Sequence, residues 1–288
     1  MDSSRIAQKQ NTGRNIARLA SQRQLYNDVG VLDRLNVFLS VIIPLGFAAI
    51  QEIATEWGWA KSVSGCLSIV MLVLSLTIAS QGKAKKALAA TIQQEFDVDV
   101  FQMDWNDKLF GKKRDLNSEI ARYSRKILNN EKEKNKLYNW YPTEVDTLSH
   151  NKAIVVCQKE NFSWDTGLRK RYRIFAYILI AVIIAVPVAV CLYTEKTVQE
   201  LLLRFVMVLP ALRWFVSIAG GLNDDLKRME SLERAVYSTK NKPMTELQFV
   251  QKEIFENRKT AVKIPNWFYS LFKDNDEDRE RRSAELSE

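Results

Sequence analysis

Apolar residues along this chain are bunched, and four of the bunches are long enough to cross a bilayer. A membrane helix needs roughly 20 predominantly apolar residues, because in hydrocarbon its backbone groups can bond only one another. The stretches Leu35 to Ala54, Val63 to Ser80, Ile174 to Tyr193 and Leu201 to Leu222 meet that requirement. They form two close pairs, joined by EWGWAK and TEKTVQ, so each pair reads as a helical hairpin. A buried helix of a soluble protein imitates one such stretch, but four would need an apolar core that the charged remainder cannot enclose. The fold class predicted is an all-α membrane protein with a helical cytoplasmic domain.

Orientation follows from the flanking cations. Arg14, Arg18, Arg23 and Arg34 precede the first span, and Lys83, Lys85 and Lys86 follow the second. Arg169, Lys170, Arg171 and Arg173 precede the third, and Lys227 and Arg228 follow the fourth. The hairpin loops hold only Lys61 and Lys196, offset by Glu56 and Glu195. Both termini and the central region are therefore expected on the cytoplasmic side of a multi-pass protein, with Trp57 and Trp59 at the outer interface. The polar first thirty residues do not read as a signal peptide.

The polar intervals carry helical periodicity. Leu116, Ile120, Tyr123 and Ile127 form one stripe, and Leu222, Leu226, Met229 and Val236 extend the fourth span. Pro243 and Thr245 open a helix bearing Leu247, Val250 and Ile254, and Pro142 with Thr143 marks another start. A helix capped by Ser149 is expected to run through Trp164 and Tyr172 into the third span. Strand alternation is weak, DVDVFQM near Asp97 being its best instance. The expected division is an N-terminal helical segment (1–34), first hairpin (35–80), central region (81–173), second hairpin (174–222), C-terminal helices (223–272) and a charged, disordered tail (273–288).

Composition adds a net charge of +8, which suits nucleic acid, an anionic membrane face or a phosphate-bearing ligand without choosing among them. Cys66, Cys157 and Cys191 lie too far apart for a zinc motif or a disulfide framework, so reduced thiols and no metal are expected.

The ordered set QNTGRNIARLASQRQLY, EFDVDVFQMDWN, LYNWYPTEV, CQKENFSWDTGLRKRY and QKEIFENRKTAVKIPNWFY, placed around 2+2 spans, resembles the SMODS-associated four-transmembrane pore-forming effector family. The resemblance implies a bacterial antiphage effector, activated by a cyclic-oligonucleotide second messenger in cyclic-oligonucleotide-based antiphage signalling. Such an effector would breach the inner membrane as a homo-oligomer and stop the cell before phage mature. It implies the lipid bilayer and that nucleotide as partners, no DNA and no further cofactor. The alternative is a non-conducting membrane scaffold that recruits a cytoplasmic protein, and a second rival is constitutive ion transport.

Candidate sites come from the residues themselves. Arg213 lies inside the fourth span after Pro210, where an unpaired charge costs about 2.5–3.5 kcal/mol, and reads as a pore or gating charge or as a snorkelling anchor. Arg204 reads as an interfacial anchor. Pro44, Pro187 and Pro210 interrupt spans and serve as hinges or tolerated kinks; Gly220 and Gly221 offer a hinge or a close-packing point. A cyclic oligonucleotide needs cations beside aromatic faces. Trp164 with Arg169 and Arg171 is one such place, and Arg258, Lys259 and Lys263 with Trp267 and Tyr269 is the other. The pairs Asp97/Asp99 and Asp224/Asp225 read as solvated faces, and His150 as a cap or surface residue. No catalytic motif appears, so no enzyme activity is expected.

Overall fold

The structure, a computed structural model, describes residues 5–53, 58–160, 166–195, 197–237 and 243–271. Its helices are α1 (Ile6–Gln10), α2 (Gly13–Val37), α3 (Ile43–Ile53), α4 (Gly58–Val100), α5 (Asp107–Phe110) and α6 (Asn117–Leu128). They continue with α7 (Glu131–Asn135), α8 (His150–Glu160), α9 (Thr166–Tyr193), α10 (Val198–Tyr237), α11 (Met244–Thr260) and α12 (Asn266–Ser270). No strand occurs among the described residues, and four helical stretches are long and apolar enough to span a membrane.

Each span is part of a longer helix. The first is α2 joined to α3 through a single π turn at Phe38–Ile42. Pro44 explains that turn, since it has no N–H for the carbonyl of Ser40 and its ring crowds that carbonyl; the wider turn gives it room. The second span is the opening half of α4, whose later half leaves the bilayer as a rod of good helix formers and buries Ala89, Ile92, Phe96 and Val100 along one face. DVDVFQM is thus helix as far as Val100, followed by Gln102 at φ 52°. The divisions at 34, 80, 173 and 222 all fall inside continuous helices.

The fourth span is the central one: α10 packs against α9, α4 and α3, whereas α9 lies chiefly along α10. Ala176, Ile183, Val208, Ala211, Phe215 and Ala219 fill this seam, and the alanines let the backbones approach. Outward, Ile69, Val73, Ile178, Val182, Leu202 and Val216 are exposed, as a lipid-facing surface requires.

The body gathers at one end of the spans, where α2, α4 and α11 enter it. Its core stacks Tyr141 against Phe96 and Phe101, with centroids 6.0 and 5.3 Å apart. The Leu116 stripe is α6, docked on α2; Leu116 and Ile127 are buried and Ile120 and Tyr123 partly so. Pro142 and Thr143 introduce a short 3-10 turn, Thr143–Thr147, which buries Val145. The helix expected from Ser149 into the third span is described as α8 and α9. Residues 161–165 between them, with Trp164, lie outside the described residues, as do Trp57 and the tail from 272 onward.

Candidate functional site

The densest charge chemistry sits where the body meets the spans, around Asp225 of α10. Leu222, Asp225, Leu226 and Met229 fall on one stripe at helical spacing, so Asp225 is carried into the interior and is fully buried. Its Oδ2 accepts from Arg169 Nη1 of α9 at 2.7 Å and from the backbone N–H of Val262 at 2.7 Å. Its Oδ1 accepts from Arg228 Nη2 at 2.8 Å, one helical turn on. Arg169 Nη1 also reaches the Val262 carbonyl at 3.0 Å, and Lys86 Nζ of α4 donates to the Ala261 carbonyl.

One carboxylate therefore gathers α9 and α10 around the loop 261–265, hereafter the strap, which joins α11 to α12, and Lys86 adds α4 through the Ala261 carbonyl. Burial pushes the Lys86 ammonium down to about 8, with Asp225 and Asp33 opposing, so the charged form still prevails at neutral pH. Burial raises the Asp33 carboxyl, with Lys86 and Lys263 opposing. Beside the charges lies an apolar patch of Leu168, Tyr172, Leu222 and Phe268.

Gly221 makes the fit possible. A Cβ there would stand 2.6 Å from Val262 Cγ2, so Gly221 is a close-packing point, while Gly220 meets nothing within 4 Å. Gly221→Ala should cost ~1–3 kcal/mol of stability through overpacking, read as a lower melting temperature in detergent, and Val262→Ala in the same chain should recover most of it.

A second buried carboxylate organises the body. Asp97 of α4 accepts from Tyr141 Oη at 2.7 Å, Gln251 Nε2 at 2.8 Å and Arg258 Nη1. Gln251 continues to Gln94 at 3.0 Å, and Gln158 to Gln251 at 3.1 Å. Burial opposes the charge on Arg258, yet Asp97 and Tyr141 together hold its guanidinium above the usual arginine range.

The sequence-derived candidates thus separate. Arg169 belongs to the strap junction, and Arg171, two residues on along α9, is half-buried. Arg258 serves the body interior, and Lys259 pairs with Glu256 at 2.9 Å over the Phe255 ring. Trp267 lies against Phe175 at the start of the third span, so the two predicted patches meet through the strap while Arg258 and Lys259 turn away.

Within the spans, Arg213 Nη1 reaches sideways to Ser75 Oγ of the second span, 3.4 Å away, and Arg204 Nη1 lies 3.4 Å from Cys191 Sγ. Pro44, Pro187 and Pro210 all sit on buried faces of their helices. Asp97 and Asp225 are not solvated faces, contrary to the sequence reading: both are fully buried, Asp225 because it lies in an apolar stripe, the signal that would have found it, and Asp97 because Tyr141, Gln251 and Arg258 close over it. His150 is part-buried, its Nε2 3.0 Å from the Phe101 carbonyl. Among the described residues, no group of three or more His, Cys, Asp or Glu could hold a metal. The junction joins α4, α9, α10 and the strap through Arg169, Arg228, Lys86 and one carboxylate.

Fold and junction together define a four-span membrane protein whose helical body is fastened to its spans from one side. The chain belongs to the SMODS-associating 4TM effector domain family, whose profile matches residues 4–286. It is similar to a probable CBASS effector molecule of Bacillus cereus (strain VD146), 25% identical over 95% of each chain. No solved structure matches it.

Proposed function

We propose that this protein is a bacterial antiphage effector that permeabilises the inner membrane as an oligomer when a cyclic-oligonucleotide signal reaches its cytoplasmic body. Family membership and the name of its Bacillus relative support the defence role. The observation that carries the mechanism is the Asp225 junction, which ties the strap that follows α11 to α9 and α10 beside their apolar stretches. A displacement of the body is passed along rigid helices into the membrane. Both termini and the body are cytoplasmic in this reading, as the flanking cations favour.

The proposed contact for the signal's phosphates is the opening turn of α9, where a phosphate would compete with Asp225 for Arg169, with Arg171 and the aromatic face of Trp164 completing the set. Arg258, Lys259 and Trp267 are engaged elsewhere, by Asp97, Glu256 and Phe175. In the bilayer, Arg213 is the charge proposed to line the opened path, released from Ser75 as α4 and α10 part. Four helices enclose little space, so several copies are proposed to surround it, with the three prolines as bending points.

Liposome dye release tests this reading. Leakage is expected when a cyclic oligonucleotide from a panel of di- and trinucleotides is added, and Arg213→Leu is expected to cut its rate at least tenfold without reducing membrane insertion. Leakage in no case, whether with nucleotide or on assembly alone, overturns the pore; undiminished leakage from Arg213→Leu removes that residue from the path.

A further inference from the structure

The strap runs on into α12, and this short helix has two dissimilar sides. Phe268 is buried, its ring 4.8 Å from Tyr172 and 5.5 Å from Phe175. Trp267 packs edge-on against Phe175 at 5.9 Å, yet remains 53% exposed. Tyr269 and Leu271 are 49% and 64% exposed, so three large apolar or aromatic side chains face outward without covering the body.

Depth decides what they face. Phe175 stands at the first residues of the third span, and the exposed Ile174, Tyr177 and Ile178 beside it are part of the lipid-facing surface. Asn223 Nδ2 donates to Tyr177 Oη at 2.8 Å, which places a polar group of α10 at the same level, the chemistry that suits the passage from hydrocarbon to headgroups. The exposed side of α12 thus continues the bilayer-facing surface at interface height. Amphipathic rings are most stable at that height, with the apolar body in the acyl boundary and the polar edge among headgroups.

We infer that α12 is an interfacial foot, whose Trp267, Tyr269 and Leu271 reach past the headgroups into the acyl boundary beside the third span. The occupant of this surface is the bilayer itself. The foot fixes the far end of the strap to the membrane, leaving α11 as the end that moves with the body. The inference does not depend on conductance.

Depth measurement tests it on the full chain in phosphatidylcholine and phosphatidylglycerol vesicles. Nitroxides are placed at Tyr269→Cys and, separately, Leu271→Cys, with Cys66, Cys157 and Cys191 replaced by alanine, and saturation is compared under oxygen and under a water-soluble nickel chelate. At both positions oxygen is expected to dominate, reversed from a label at exposed Lys132. Dominance of the nickel chelate at either position overturns the foot, and so does shielding from both agents, the sign of a second copy covering the surface. With native cysteines retained, shallow brominated lipids should quench wild type more than Trp267→Phe; equal quenching is also fatal to the inference.

Discussion

Replacing Asp225 with alanine is expected to lower the melting temperature of the detergent-solubilised protein by roughly 10 °C, the shift that a loss of ~3–5 kcal/mol brings. The magnitude follows from what remains. Arg169, Arg228 and Lys86 are all partly buried around the fully buried Asp225, which receives hydrogen bonds from both arginines and from Val262 N–H. Removing the acceptor leaves Arg169 and Arg228 without their counter-charge and Lys86 with Asp33 alone, and an uncompensated buried charge costs more than the pair ever contributed. Asp225→Asn keeps the shape but turns an amide toward donors, so an intermediate loss is expected. On the proposed function, a loosened strap frees the spans, and Asp225→Ala should arrest growth on modest expression without any signal. An unchanged melting temperature would falsify the role of Asp225 as the matched counter-charge.

The parts of this molecule that could be read from its residues were those governed by local pattern. Apolar length alone located the four spans, and periodicity located α6 and α11, because burial of a helix face leaves a trace every three or four residues. The π turn ahead of Pro44 follows from a missing N–H. The length of α4 was harder to see. Gly82, Lys83, Lys85 and Lys86 look like the polar flank of a span, and only the packing of Ala89 and Ile92 with Leu25 and Leu116, and of Phe96 on Tyr141, shows that the helix continues.

The junction was harder still, since its partners are far apart in sequence: Arg169 lies 56 residues from Asp225, and Val262 lies 37. A charge count registers Arg169 as a topological cation and Asp225 as a surface carboxylate. Neither description contains the other residue. The Trp267 patch was partly legible, as aromatic rings near cations, but its level relative to the bilayer depended on the Phe175 contact.

The second large effect is expected at Asp97. Asp97→Ala should cost a comparable ~3–5 kcal/mol, confined to the body: the spans stay inserted, while limited proteolysis cuts the body at a protease concentration at least tenfold lower. The cause is Arg258, whose guanidinium is held in the interior by this carboxylate, with Tyr141 and Gln251 completing its hydrogen bonds. Tyr141→Phe removes one neutral donor and should cost only ~1 kcal/mol. The discriminating variant is Asp97→Leu with Arg258→Met, which deletes both charges together and should recover more than half of the resistance lost in Asp97→Ala, because the stranded cation is what makes the single substitution severe. Failure of that recovery would show that Asp97 acts through the Tyr141 and Gln251 hydrogen bonds more than through the ion pair, since the double substitution repairs the charge and leaves those two donors without their acceptor.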